Sequence, residues 1–294
     1  MTTPNGQVAT GTAVAVPQVF STDQRLSILI HADSKRGKST LASTAPQPVL
    51  VLDAEGSWRF VPLRKKYWDP LNETPPVYDG TWDACIVHVR EWRTVDLVYQ
   101  YLLQWPLPFV SVVIDSITEI QRRCKANLKG TDAMRIQDWG VLLSVMDATI
   151  RGFRDLTLIP QIAVRCVVFI SETRLNQVNK LVPYMQGQIS TSLPYWVDIC
   201  GFLYIGYELD SNGQATQMVR KVCIVPDDKF EAGQRVGGRL GDCISVIDTP
   251  ADGSAGHDIE NWMKIIFSTP TPQAPLIPQP TNGQPAMPPI QGVN

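Results

Sequence analysis

The chain reads as an α/β protein: a mostly parallel sheet with helices on both faces, and antiparallel strands added to one edge near the C-terminus. Three observations predict this. Short apolar runs alternate with helical patterns along most of the sequence, as in repeated βαβ units. The first run passes through a small polar turn into Gly37-Lys38-Ser39-Thr40, a glycine turn opening a helix, which is how a chain cradles phosphate. After about residue 195 the alternation gives way to consecutive strand-like runs.

Taken in order, Arg25 to His31 is the first strand and the helix from Lys38 follows it. Val49 to Asp53 (VLVLD) is wholly apolar up to its last residue, as expected of a strand buried on both faces of a parallel sheet. Gly56 to Pro76 carries Arg64-Lys65-Lys66 and a Pro-Pro step and reads mostly as loop. Cys85 to Val89 is the third strand. Val95, Val98, Tyr99 and Leu102 then recur at i, i+3, i+4, i+7, an amphipathic helix. Phe109 to Ile114 is the fourth strand and ends on Asp115-Ser116. Helices are expected at about 116 to 128 and 137 to 156, and Pro160 stops the second. Arg165 to Ser171 is the fifth strand. The runs at about 197 to 207, 216 to 225 and 242 to 247 supply the antiparallel edge. His257 to Phe267, with Ile259, Trp262, Met263 and Ile266 on one stripe, closes the fold as a helix.

A chain of 294 residues with 44% hydrophobic content can bury one sizeable core, so a single domain at 21–267 is expected. Residues 1–20 and the proline-rich 268–294 read as disordered tails. A net charge of −2 and a pI near 5.9 make no global case for nucleic acid, so any such binding falls to local basic patches. Six dispersed cysteines without a C-x-x-C pair argue against zinc and for buried, reduced thiols. Neither a signal sequence nor an apolar stretch of membrane length is present, so a soluble, cytoplasmic protein with no membrane partner is expected.

Three motifs carry chemistry. The phosphate loop comprises Ala32, Asp33, Ser34, Lys35, Arg36, Gly37, Lys38, Ser39 and Thr40. In G-x-x-x-x-G-K-[ST], the lysine reaches the β- and γ-phosphates and the next hydroxyl holds Mg²⁺, which assigns those roles to Lys38 and Ser39. Ala32 stands where the first glycine belongs, so its backbone must keep a negative φ or bear a disfavoured one. The second motif, Ser111 to Asp115 (SVVID), ends a strand in an acid, as the Mg²⁺ shell requires. The third is Asp53-Ala54-Glu55, which places Glu55 at a strand tip, where a carboxylate orients and polarises the attacking water.

VLVLDAEG, VVIDS and VVFISETR together resemble the RecA-like core ATPases, in particular the short phage-encoded recombinases and single-strand annealing proteins related to archaeal RadA. The resemblance covers about residues 25 to 240. It implies a RecA-like P-loop core, ATP and Mg²⁺ as cofactors, Glu55 as the water-activating base, and Glu172 as a polar sensor of the γ-phosphate. In a family element of the form K-x-R-x-G, Lys and Arg reach the neighbouring subunit's ATP. Arg235 is present here and Gly233 stands in place of the lysine. The family binds single-stranded DNA through two loops, carried onto Arg122, Arg123, Lys125, Lys129 and Arg135, and onto Arg174 and Lys180 with Tyr184 as a stacking group. The implied partners are single-stranded DNA, further copies in a ring or filament, and a single-strand DNA-binding protein; the implied location is the host cytoplasm.

Two other functions compete with a DNA-dependent ATPase: a small-molecule P-loop kinase, and a nucleotide-binding scaffold or regulator with little hydrolysis. No arginine-rich lid is evident and Glu55 is present, which speak against the kinase. Ala32 and Gly233 favour the scaffold.

Overall fold

The computed structural model of the chain describes residues 23–104, 106–241, 243–246 and 258–268. Apart from Ser268, the tails expected at 1–20 and 268–294 lie outside these residues, as does His257. The strands are β1 (Leu26–His31), β2 (Val49–Asp53), β3 (Lys65–Tyr67), β4 (Ala84–His88), β5 (Ser111–Asp115), β6 (Cys166–Ser171), β7 (Thr173–Leu175), β8 (Leu181–Pro183), β9 (Ile199–Leu209), β10 (Ala215–Cys223), β11 (Gly233–Gln234) and β12 (Cys243–Val246). The helices are α1 (Lys38–Ala42), α2 (Trp92–Gln104), α3 (Ile117–Lys129), α4 (Ile136–Asp155), α5 (Ile189–Trp196) and α6 (Ile259–Phe267).

The main sheet runs in the order β12-β10-β9-β1-β6-β5-β2-β4-β3, with β11 paired to β9. From β9 to β3 every neighbour is parallel, and β10 opens the antiparallel edge. Because side chains alternate across a strand, the apolar runs feed two cores. Leu29, Leu50, Leu52, Val112 and Phe169 face α2, α3 and α4 on one side. Ile28, Ile30, Val51, Val113 and Val168 face α1 and α6 on the other.

Two departures from the sequence reading have physical reasons. Residues 57–60 form a 3-10 turn and Lys65–Tyr67 an edge strand, where mostly loop is expected from the charges. Charged side chains suit an exposed strand at a sheet edge. The stretch that carries Arg174, Lys180 and Tyr184, expected as a DNA-binding loop, holds the β7–β8 hairpin and leads into α5, which buries Ile189 and Leu193 despite Pro194. In the sheet, β6 lies between β1 and β5. Among the described residues Cys85, Cys124, Cys166, Cys200 and Cys223 are buried. Burial pushes the Cys85, Cys124 and Cys166 thiols up to about 12, so they are inert. No helix among the described residues is long and apolar enough to cross a membrane.

Candidate nucleotide-binding site

Parallel register brings the carboxyl ends of β1, β6, β5 and β2 to one side of the sheet, where α/β proteins bind ligands. His31 pairs with Ser171, and Asp53 with Asp115. Beyond β1 the loop turns through Lys35 at φ 62° and Gly37 at φ 98° before α1 begins. Ala32 is not among the residues with positive φ, so it keeps the conformation alanine tolerates and the left-handed turn falls later in the loop. Lys38 curls over the loop and donates to the carbonyls of Ala32 and Asp33, each at 3.0 Å. Burial lowers the pKa of its ammonium, opposed by the carboxylates of Asp115, Glu55, Glu172 and Asp33.

Asp115 collects the hydroxyl of Ser39 at 2.5 Å, the indole N–H of Trp58 at 2.8 Å and the hydroxyl of Ser57 at 3.3 Å, all on Oδ2. Burial raises its pKa to about 6, against the pull of the Ser39 bond. Asp53, next in the row, is spent on structure. Its carboxylate accepts from the backbone N–H groups of Gly56, Ser57 and Trp58, folding the turn that carries Trp58 to Asp115. Gly56 at φ 74° lets the chain enter that turn. Glu55 stays exposed to solvent and accepts a 2.5 Å bond from the Ser116 hydroxyl, at the start of α3.

A lysine wrapped in a glycine turn, with its following serine hydroxyl bound to a buried strand-end aspartate, is the arrangement of a P-loop. The sequence model of the AAA domain family matches residues 24–236, well over half of the chain. The chain belongs to that family. It is thus a P-loop NTPase domain. No curated protein matches the chain.

The AAA domain brings the remaining expected residues together unevenly. Glu172 stands at the end of β6, next to the P-loop strand, and pairs with Arg122 at 3.3 Å. Arg122 and Arg174 both lie over the Tyr184 ring, at 5.9 and 5.3 Å. Several of the basic residues are already paired: Arg122 and Arg123 with Glu119, Lys129 with Asp138, and Lys180 with Glu231. Lys125 lies over Trp139, and the Arg135 backbone donates to Asp138. The basic excess expected over 122–135 is therefore smaller than the segment implies, because Glu119, Asp138 and Glu172 enter from outside it. Arg235 bonds the carbonyl of Tyr195, and its backbone N–H bonds Asp198. Asp198 packs on Ser27, about four strand residues, or roughly 13 Å, from the P-loop end of β1. Ser57 and Trp58, which bond Asp115, went unremarked in the sequence, and Ser116, read there only as the residue after Asp115, bonds Glu55. Only the Gly56-Ser57 step after D-A-E hinted at a capped turn there.

The donors fit Mg²⁺. Ser39 Oγ and the Asp115 carboxylate are hard oxygen ligands already within bonding distance of each other. Among the described residues no cluster of three His, Cys, Asp or Glu side chains forms a metal site of its own. Mg²⁺ would thus complete its shell from phosphate oxygens and water, its usual habit.

Proposed function

We propose that this AAA domain hydrolyses ATP with Mg²⁺ and couples hydrolysis to single-stranded DNA, as a recombinase or annealing protein of the phage-encoded RecA-like kind. The observation that carries the nucleotide half is the Ser39–Asp115 bond beside Lys38. Lys38, now on the loop's own carbonyls, swings to the β- and γ-phosphates when they displace it. Ser39 and Asp115 would hold Mg²⁺, whose charge would offset that building on the phosphates. Glu55, held by Ser116 and open to solvent, orients water in line with the γ-phosphorus. As the water oxygen bonds phosphorus, the bond to the bridging oxygen breaks, ADP leaves with that electron pair, and Glu55 takes the water proton.

What supports the DNA half is a run of contacts leading away from the nucleotide. Glu172, at the end of β6, pairs with Arg122, and Arg122 and Arg174 share Tyr184, an aromatic on which a base can stack. What supports self-association is Arg235, exposed and distant from its own loop, as a residue serving a neighbour would be.

The test is Lys38→Ala. It should lose at least about 10-fold in ATP affinity, since a charge-assisted phosphate bond disappears, and should hydrolyse no ATP. A folded variant with unchanged affinity and turnover would overturn the P-loop assignment.

A further inference from the structure

The register of the sheet carries an arginine of this same chain over the phosphate loop. β1 ends at His31, which pairs with Phe202, yet β9 continues seven residues further to Leu209, roughly 20 Å at the rise of a strand. The β9–β10 hairpin thus overhangs the end of the sheet where the P-loop stands. On its returning strand Arg220 lies opposite Ile205, three residues beyond Phe202. Its side chain folds back onto Gly37: a Cβ placed on that glycine would lie 2.8 Å from Nε, 3.0 Å from Cδ and 3.4 Å from Cζ of Arg220. Lys221, pointing to the other face as strand alternation demands, reaches the Tyr207 carbonyl instead.

We propose that Arg220 is a phosphate-contacting residue of the nucleotide site, a second cation beside Lys38 supplied by the chain that owns the loop. This rests on the nucleotide-binding reading above. The loop already holds Lys35, Arg36 and Lys38, with Asp33 at 3.9 Å from Arg36. A fourth cation there deepens a positive field suited to the several negative charges of a nucleoside triphosphate. A guanidinium presents paired N–H groups that match two phosphate oxygens, which a single ammonium cannot. The φ of Gly37 is what asks for glycine there, and the Arg220 side chain lies in the space beside it. A charge supplied in cis also means that basal turnover does not wait for a neighbouring subunit; Arg235 from a neighbour would add to it.

The experiment measures dissociation constants for ATP, ADP and AMP by calorimetry, and basal ATP hydrolysis without DNA, on wild type, Arg220→Ala, Arg220→Gln, Arg220→Lys and Lys38→Ala. Arg220→Ala should weaken ATP at least about 10-fold, with AMP least affected, and should slow turnover. Arg220→Lys should recover part of the affinity. Thermal melting without nucleotide is followed for each variant, and should the alanine variant melt early, Arg220→Gln, which keeps the stem and loses the charge, carries the comparison. Basal turnover per chain should be independent of protein concentration. Unchanged affinity and turnover would make Arg220 mere packing and overturn the proposal. Tighter ATP binding would equally overturn it, by making Arg220 a cover that nucleotide must displace. If Lys38→Ala also binds ATP normally, the nucleotide reading itself has failed rather than the role of Arg220.

Discussion

Asp115 is a carboxylate that burial would keep neutral, and the bonds from Ser39 and Trp58 only partly restore its charge. Its folded pKa of about 6 lies above its ordinary 3.8. The fold therefore holds its proton more tightly than the unfolded chain does. Stability from this group is fully present below pH 3.8 and is lost as pH rises towards 6. Asp115→Asn should accordingly stabilise the nucleotide-free protein by about 2 kcal/mol above pH 6. Melting curves should show that gain shrinking as pH falls towards 4. The same variant should lose Mg²⁺-dependent nucleotide binding; a destabilised variant at pH 8 would contradict the account. Glu55 is the opposite case, exposed and tied only to Ser116, so Glu55→Gln should leave ATP affinity within about twofold. Its turnover should drop by roughly 100-fold or more, the usual worth of a positioned base. Filter binding and phosphate release on one sample would check both, and wild-type turnover would reduce Glu55 to a turn residue.

At the scale of elements, the turn at 57–60 matters more than its length suggests. Asp53 folds it, Gly56 admits it, and it delivers Trp58 to the Asp115 oxygen that Ser39 also bonds. Trp58→Phe keeps the buried ring and removes one donor that favours the ionised carboxylate. The acid limb of the pH–rate profile should therefore move upward, with little change in melting temperature; an unmoved limb would mean the indole bond does not tune Asp115. The apolar runs made β1, β2, β4, β5 and β6 legible, because strands buried on both faces leave a continuous signal in the sequence. Lys38, Ser39, Asp115 and Glu55 could be proposed from the sequence because each ends or follows such a run. Trp58 and Arg220 were not: one is placed by a side-chain cap, the other by the register of an overhanging hairpin, and neither has a local pattern. The order of the sheet was equally hidden, since nothing local says that β6 inserts between β1 and β5. The paired state of Arg122, Arg123 and Lys129 escaped for the same reason. Their acids lie outside the basic segment.

For the whole molecule, the account joins three places: the P-loop, the Arg122–Tyr184–Arg174 cluster beyond Glu172, and Arg235 at the far end of the sheet. His31 ties the first to the second. It is buried at the end of β1, its Nε2 lying 2.6 Å from the Glu231 carbonyl and its Nδ1 3.1 Å from the Thr173 hydroxyl where β7 begins. Burial depresses its pKa to about 4, so it stays neutral and holds these bonds at physiological pH. If nucleotide and DNA are coupled through this frame, each must change the affinity for the other. The most direct measurement is the ATP hydrolysis rate per chain over a range of protein concentrations, with and without single-stranded DNA. The account predicts a slow, concentration-independent rate without DNA, and with DNA a faster rate that rises with concentration and is lost in Arg235→Ala. A rate that DNA leaves unchanged at every concentration would contradict it, and would leave a self-contained P-loop enzyme in its place.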